Sequence, residues 1–76
     1  MNNEARFLID ALVERLVLLV MEDFKHSLLD ALSLVYNSQL YEKITDLETG
    51  LYYQSALYNY ELLRKEITLG KIVLDL

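Results

Sequence analysis

From Met1 to Phe24 the apolar residues recur at helical spacing, and this stretch constrains the fold more than any other. Stepping about 100° per residue from Phe7 gathers Glu4, Asp10, Glu14, Arg15 and Glu22 on one side. Leu8, Ile9, Leu12, Val13, Leu16, Val17, Leu19, Val20 and Phe24 fill about half the circumference opposite. Two adjoining seams lie within that arc: Ile9, Leu12, Leu16 and Leu19, then Val13, Val17, Val20 and Phe24. A surface helix needs only one narrower stripe. Two seams predict a central helix with neighbours on two sides, one of them a candidate for a symmetry mate. Asn2 or Asn3 is placed to cap it, with Glu4 favourable in the first turn.

The helical pattern breaks at Asp23-Phe24-Lys25-His26, and Ser27 has capping character with Asp30 three residues on. Leu28 to Tyr36 reads as a second helix with Leu28, Ala31, Leu32 and Val35 on one face. Asn37-Ser38 punctuates, and Ser38 is placed to cap a short third helix to about Thr45 that carries Leu40, Tyr41 and Ile44 inward. Asp46 to Gln54 reads as a loop in which Gly50 can supply a positive-φ position. Ser55 caps a last helix from Ala56 to about Leu69, which Gly70 ends. The tail Lys71 to Leu76 alternates only weakly, and strand, helix extension and frayed end stay open for it. Without repeat, low-complexity segment or linker, residues 1–76 read as a single helical domain. The expected fold is an all-α bundle of three to four helices, with the long N-terminal helix packed against the C-terminal helix.

Seventy-six residues that are 54% hydrophobic, with eighteen leucines and no proline, hold more apolar side chain than so small a domain can hide. Exposed apolar patches of several hundred Å² mark interaction sites. A homo-oligomer or a protein partner is therefore expected. Twelve acids against seven basic residues give a net charge of −5, and no basic cluster exceeds Arg64-Lys65. Nucleic-acid binding needs a basic footprint, so none is expected. A dimer could assemble one from two chains, which keeps a small dimeric DNA-binding regulator as the alternative. The absence of cysteine removes disulfides, thiolate metal sites and thiol chemistry and fits a reducing cytoplasm. The N-terminal run is interrupted by Asp10, Glu14 and Arg15 and lacks a small-residue cleavage site, so it does not read as a signal peptide. The longest apolar run, Leu16 to Met21, is far short of the roughly 20 residues of a membrane span.

The inventory for chemistry is short. His26 is the only histidine, and with Glu22 and Asp23 it makes an incomplete metal set, better read as a surface or capping group. Asp46-Leu47-Glu48-Thr49-Gly50 shares alternating acids and a glycine with a calcium loop but lacks the remaining ligand spacing. No orienting arrangement joins a serine to His26. No enzyme, cofactor, metal site or small-molecule substrate is expected.

All six tyrosines fall between Tyr36 and Tyr60. Tyrosine offers large, stiff contact area with a polar tip. On the last helix, Ala56, Tyr60, Leu63 and Ile67 share one face, while Tyr58 and Leu62 share another, set apart by Asn59 and Glu66 on one side and Glu61 and Lys65 on the other. The first face suits the core and the second a contact with something else. Tyr36, Tyr41 and Tyr60 are accordingly expected to be partly buried, with their hydroxyls reaching loop carbonyls. Tyr52, Tyr53, Tyr58 and Leu62 are the expected partner-binding residues.

The stretch Leu32 to Glu66 resembles a family of short uncharacterised bacterial proteins that read as VYNS, a tyrosine-lysine helix, a TGLY turn, then QS and a tyrosine-rich helix. The matching residues are Tyr36, Asn37, Ser38, Tyr41, Thr49, Gly50, Leu51, Tyr52, Ser55, Tyr58, Tyr60 and Glu61. Where the family commonly has proline after the QS serine, this chain has Ala56, which loses a pre-set first helical turn. Some members are encoded near ADP-ribosyltransferase-like toxin candidates. The resemblance implies an accessory or antitoxin-like binding role in a small operon and supplies no catalytic residues.

Overall fold

α1 (Asn3–Phe24) is the frame of the molecule, because its 22 residues at about 1.5 Å rise match the 33 Å long axis. The computed structural model describes residues 3–70. After α1 come α2 (Leu28–Tyr36), α3 (Gln39–Thr45), two single 3-10 turns (Leu47–Thr49 and Leu51–Tyr53) and α4 (Ala56–Leu69). No strand occurs among the described residues. α1 packs against α2, the second 3-10 turn and α4, which gives the expected all-α bundle with its first and last helices in contact. The tail from residue 71 onward, and Asn2 as a cap, lie outside the described residues.

Both seams of α1 are covered from within this chain. Ile9, Leu12, Val13, Leu16, Val17 and Val20 join Ala31 and Val35 of α2, Leu40 and Ile44 of α3, Leu51, and Tyr60, Leu62 and Leu63 of α4 in one core. The symmetry mate offered for one seam is not needed there. Short helices reach around α1 from both sides, which a wheel of α1 alone cannot distinguish from a second chain.

The corners follow from capping chemistry. Lys25 takes a left-handed conformation, φ 57°, and ends α1. Ser27 Oγ then accepts the Asp30 amide at 3.2 Å and opens α2. At the VYNS segment, Asn37 Nδ2 donates to the Ser33 carbonyl at 2.8 Å, while the buried Ser38 hydroxyl donates to the Val35 carbonyl at 2.6 Å. Ser38 Oγ also accepts the Tyr41 amide at 3.0 Å, so one hydroxyl closes α2 and opens α3. The amides of Gln39 and Leu40 donate to the Glu66 carboxylate of α4 at 2.8 and 3.0 Å. The first three amides of α3, otherwise without helical partners, are all satisfied by side chains.

The stretch from Asp46 to Gln54, expected as a loop, is instead wound into the two 3-10 turns. Asp46 Oδ1 accepts the Glu48 amide at 3.1 Å, and Thr49 Oγ1 lies 2.6 Å from the Lys43 carbonyl and 2.9 Å from that of Asp46. Gly50 separates the turns at φ 70°, where a Cβ would stand 2.7 Å from the Tyr53 hydroxyl. Both the backbone angle and the close approach call for glycine. Ser55 Oγ accepts the Tyr58 amide at 3.0 Å and opens α4, which Gly70 closes at φ 77°.

The buried side of α4 departs from the expected one. Asn59 and Leu62 are buried together with Tyr60 and Leu63. Leu62, expected to meet a partner, is 6% exposed and belongs to the core. The helical wheel sets Asn59 and Glu66 between the two faces of α4. Asn59 is instead fully buried and Glu66 half-buried, because each is needed by backbone groups of a neighbouring corner.

Candidate functional site

Once the core is closed, Phe7, Leu18, Leu28, Leu29, Tyr36, Leu47, Tyr53, Leu57, Tyr58 and Leu69 remain exposed among the described residues. Leu18, Leu28 and Tyr36 belong to one surface beside α1, and Tyr53, Leu57 and Tyr58 to a second around the start of α4.

The first surface is a groove between α1 and α2, a cleft of about 390 Å³. Val13, Val17 and Leu18 of α1 and Leu28, Leu32 and Tyr36 of α2 give it apolar walls, and Asp10 and Glu14 are its charged lining residues. α2 folds back along α1 after the short break at residues 25–27, which explains how these residues come together. Seven of the nine residues of α2 are apolar, all but Asp30 and Ser33. So short a helix cannot bury all its sides against α1. Ala31 and Val35 face the core, and Leu28, Leu29 and Tyr36 are left outside. Leu28, expected on the inner face, is therefore a rim residue. Tyr36, expected to be partly buried, is 49% exposed and leans edge-on against Tyr41 with ring centroids 4.9 Å apart. At the Tyr36 end the groove meets a more polar hollow lined by Arg6, Ile9, Asp10, Tyr36, Tyr41 and Thr45.

The second surface lies where the second 3-10 turn meets α4. Tyr53 is 64% exposed, Leu57 69% and Tyr58 44%. Of the expected partner-binding tyrosines, Tyr53 and Tyr58 thus stand at the surface. Tyr52 is half-buried: it packs against the core, shares a shallow groove with Leu8, Ala11 and Leu12, and meets the Tyr53 ring edge-on at 5.1 Å. Leu57 falls in neither of the two faces that the wheel of α4 separates. The over-apolar α2 was the unused signal for the groove.

Tyr60 is buried as expected, although its hydroxyl reaches a carboxylate and not a carbonyl, donating to Asp23 Oδ2 at 2.6 Å. Burial first, and then the bond to Asp23, push this phenol well above its usual range. Asn59 Nδ2 donates to the carbonyls of Leu51 and Ser55 at 2.9 and 3.2 Å, whereas its buried Oδ1 has no hydrogen-bond partner. Arg64 donates to Glu61 at 3.0 Å on the solvent side, which holds that carboxyl below its usual range.

His26 lies against Phe24, with ring centroids 6.2 Å apart. No group of three or more His, Cys, Asp or Glu residues is arranged to hold a metal ion among the described residues. None of the described helices is long and apolar enough to cross a membrane. Five of the twelve residues that carry the resemblance are joints, since Asn37, Ser38, Thr49, Gly50 and Ser55 each cap or turn the backbone. No protein-family model, curated protein or solved structure matches this chain.

Proposed function

We propose that this chain is a protein-binding module that pairs with itself through the Tyr53–Leu57–Tyr58 edge and keeps the α1–α2 groove for another protein. The observation that carries the reading is the amount of large apolar side chain left outside a closed core, led by Leu29, Phe7, Leu57 and Tyr53. The Tyr53–Leu57–Tyr58 edge suits self-association because tyrosine and leucine carry no charge and can meet their own copies without repulsion. The role is binding without catalysis. Resemblance of the Leu32–Glu66 pattern to the short bacterial proteins suggests a setting, an accessory or antitoxin-like partner in a small operon. A chain without cysteine suits a reducing cytoplasm.

Light scattering on the eluting protein tests the pairing. The wild type is expected at twice the chain mass. Tyr53→Ser/Leu57→Ser/Tyr58→Ser is expected at the mass of one chain, with an unchanged helical circular-dichroism spectrum because all three side chains are exposed. A wild type that stays monomeric and soluble at high concentration would overturn the self-association.

A further inference from the structure

The α1–α2 groove has a length, a polarity and a charge that narrow its occupant. Asp10 to Leu18 on α1 and Leu28 to Tyr36 on α2 each span eight residue steps, about 12 Å of wall at helical rise. That is a little over two helical turns, the span over which a docked helix presents anchors at i, i+3 or i+4, and i+7. One end of the groove is apolar, at Leu18 and Leu28, and the other is polar, where Asp10 and Tyr36 adjoin the hollow with Arg6, Tyr41 and Thr45.

Charge decides between kinds of occupant. Both charged lining residues are acidic. Arg6, which lines the adjoining hollow, sits 3.8 Å from Asp10 in an ion pair that is mostly in solvent, and such a pair is weak and exchangeable. α2 has no basic residue, so a second copy seating its own α2 in the groove would bring Asp30 toward Asp10 and Glu14. Like charges would then meet in a chain that already carries −5.

Building on the binding-module reading, we propose that the groove receives an amphipathic helix from a different protein, with leucine-like anchors on one stripe and lysine or arginine on the flank that faces Asp10 and Glu14. Val13, Val17, Leu18, Leu28 and Leu32 take the anchors. The two carboxylates orient the helix by holding its basic side toward the Tyr36 end.

The test uses two synthetic amphipathic helices with the same leucine stripe, one with lysines along the flank and one with glutamates, each titrated into the full chain by fluorescence anisotropy. The lysine helix is expected to bind about tenfold more tightly, and added salt is expected to shrink the difference. Asp10→Lys/Glu14→Lys is expected to reverse the preference. Leu28→Ser, at an exposed rim position, is expected to weaken both helices while helical content is kept. Equal binding of both helices, lost together in Leu28→Ser, would overturn the charge assignment and leave the module reading standing. Binding of neither helix, or a Leu28→Ser variant that turns a wild-type dimer into a monomer, would overturn the proposal outright. Self-association through Tyr53, Leu57 and Tyr58 is judged separately by its own light-scattering result.

Discussion

Asn59 shows how a single polar residue can belong to a core. Its Nδ2 ties α4 to the second 3-10 turn through the Leu51 carbonyl and to its own first turn through the Ser55 carbonyl, adding a second donor to each beside the backbone amides of Gln54 and Asn59. Asn59→Leu removes two donors from a fully buried position and is expected to cost about 1–3 kcal/mol, read from urea denaturation. The unpartnered Oδ1 makes this network less favourable than a fully satisfied one, which places the expected loss nearer the lower figure. Lys25 is the opposite case, a residue whose identity opposes its conformation. A left-handed φ of 57° puts its Cβ close to the following carbonyl. Lys25→Gly is expected to raise stability by about 1 kcal/mol in the same measurement, since glycine ends helices in this conformation without that contact. Sequence alone offered no warning at Lys25, because only the direction in which the chain leaves α1 makes the angle necessary.

At the scale of elements, the least self-sufficient helix is α3, only seven residues long and too short to be stable in isolation. It is held by burial of Leu40 and Ile44 and by a cap delivered from α4, some 26 residues away. Glu66→Ala leaves the Gln39 and Leu40 amides to water and removes a negative charge from a helix start, at an expected cost of about 1 kcal/mol. Glu66→Gln keeps one acceptor and is expected to lose about half as much, whereas Glu61→Gln on the exposed side is expected to leave the unfolding midpoint unchanged. Amide exchange at Gln39 and Leu40 separates the two, because only the Glu66 variants expose those groups. Local signals were enough to place the starts of α2, α3 and α4: Ser27, Ser38 and Ser55 each cap where a serine precedes a periodic run. They could not show that Glu66 serves α3. On a wheel of α4, Glu66 looks like an edge residue facing water, and its partner lies on a different element.

For the molecule as a whole, Tyr60 links the start of α4 to the end of α1 through Asp23, closing the bundle between its two longest helices. Its phenol titrates near 10 when unfolded and well above that when folded. The contribution of this group is constant below pH 10. Above it the unfolded chain has lost a proton that the folded chain keeps, so stability falls as the pH rises toward the folded value. Tyr60→Phe is expected to flatten that alkaline fall and to cost about 1 kcal/mol at neutral pH for the lost hydrogen bond, both visible in denaturation curves collected across pH. The exposed apolar surface also belongs to this scale. Composition already showed that so many apolar side chains could not all be hidden, because area outgrows volume in a small domain. It could not say which ones stay outside. By itself the sequence determined the helical class, the starts of α2, α3 and α4 with their serine caps, the glycine corners and the apolar excess, all of which depend on spacing and on neighbours a few residues away. Only the tertiary structure decided that both seams of α1 close within one chain, that Leu62 and Asn59 turn inward while Tyr36 and Leu28 turn outward, and that an acid-edged groove opens beside α2. Those outcomes depend on how helices lean on one another, and a residue's final neighbours there lie tens of positions away along the chain.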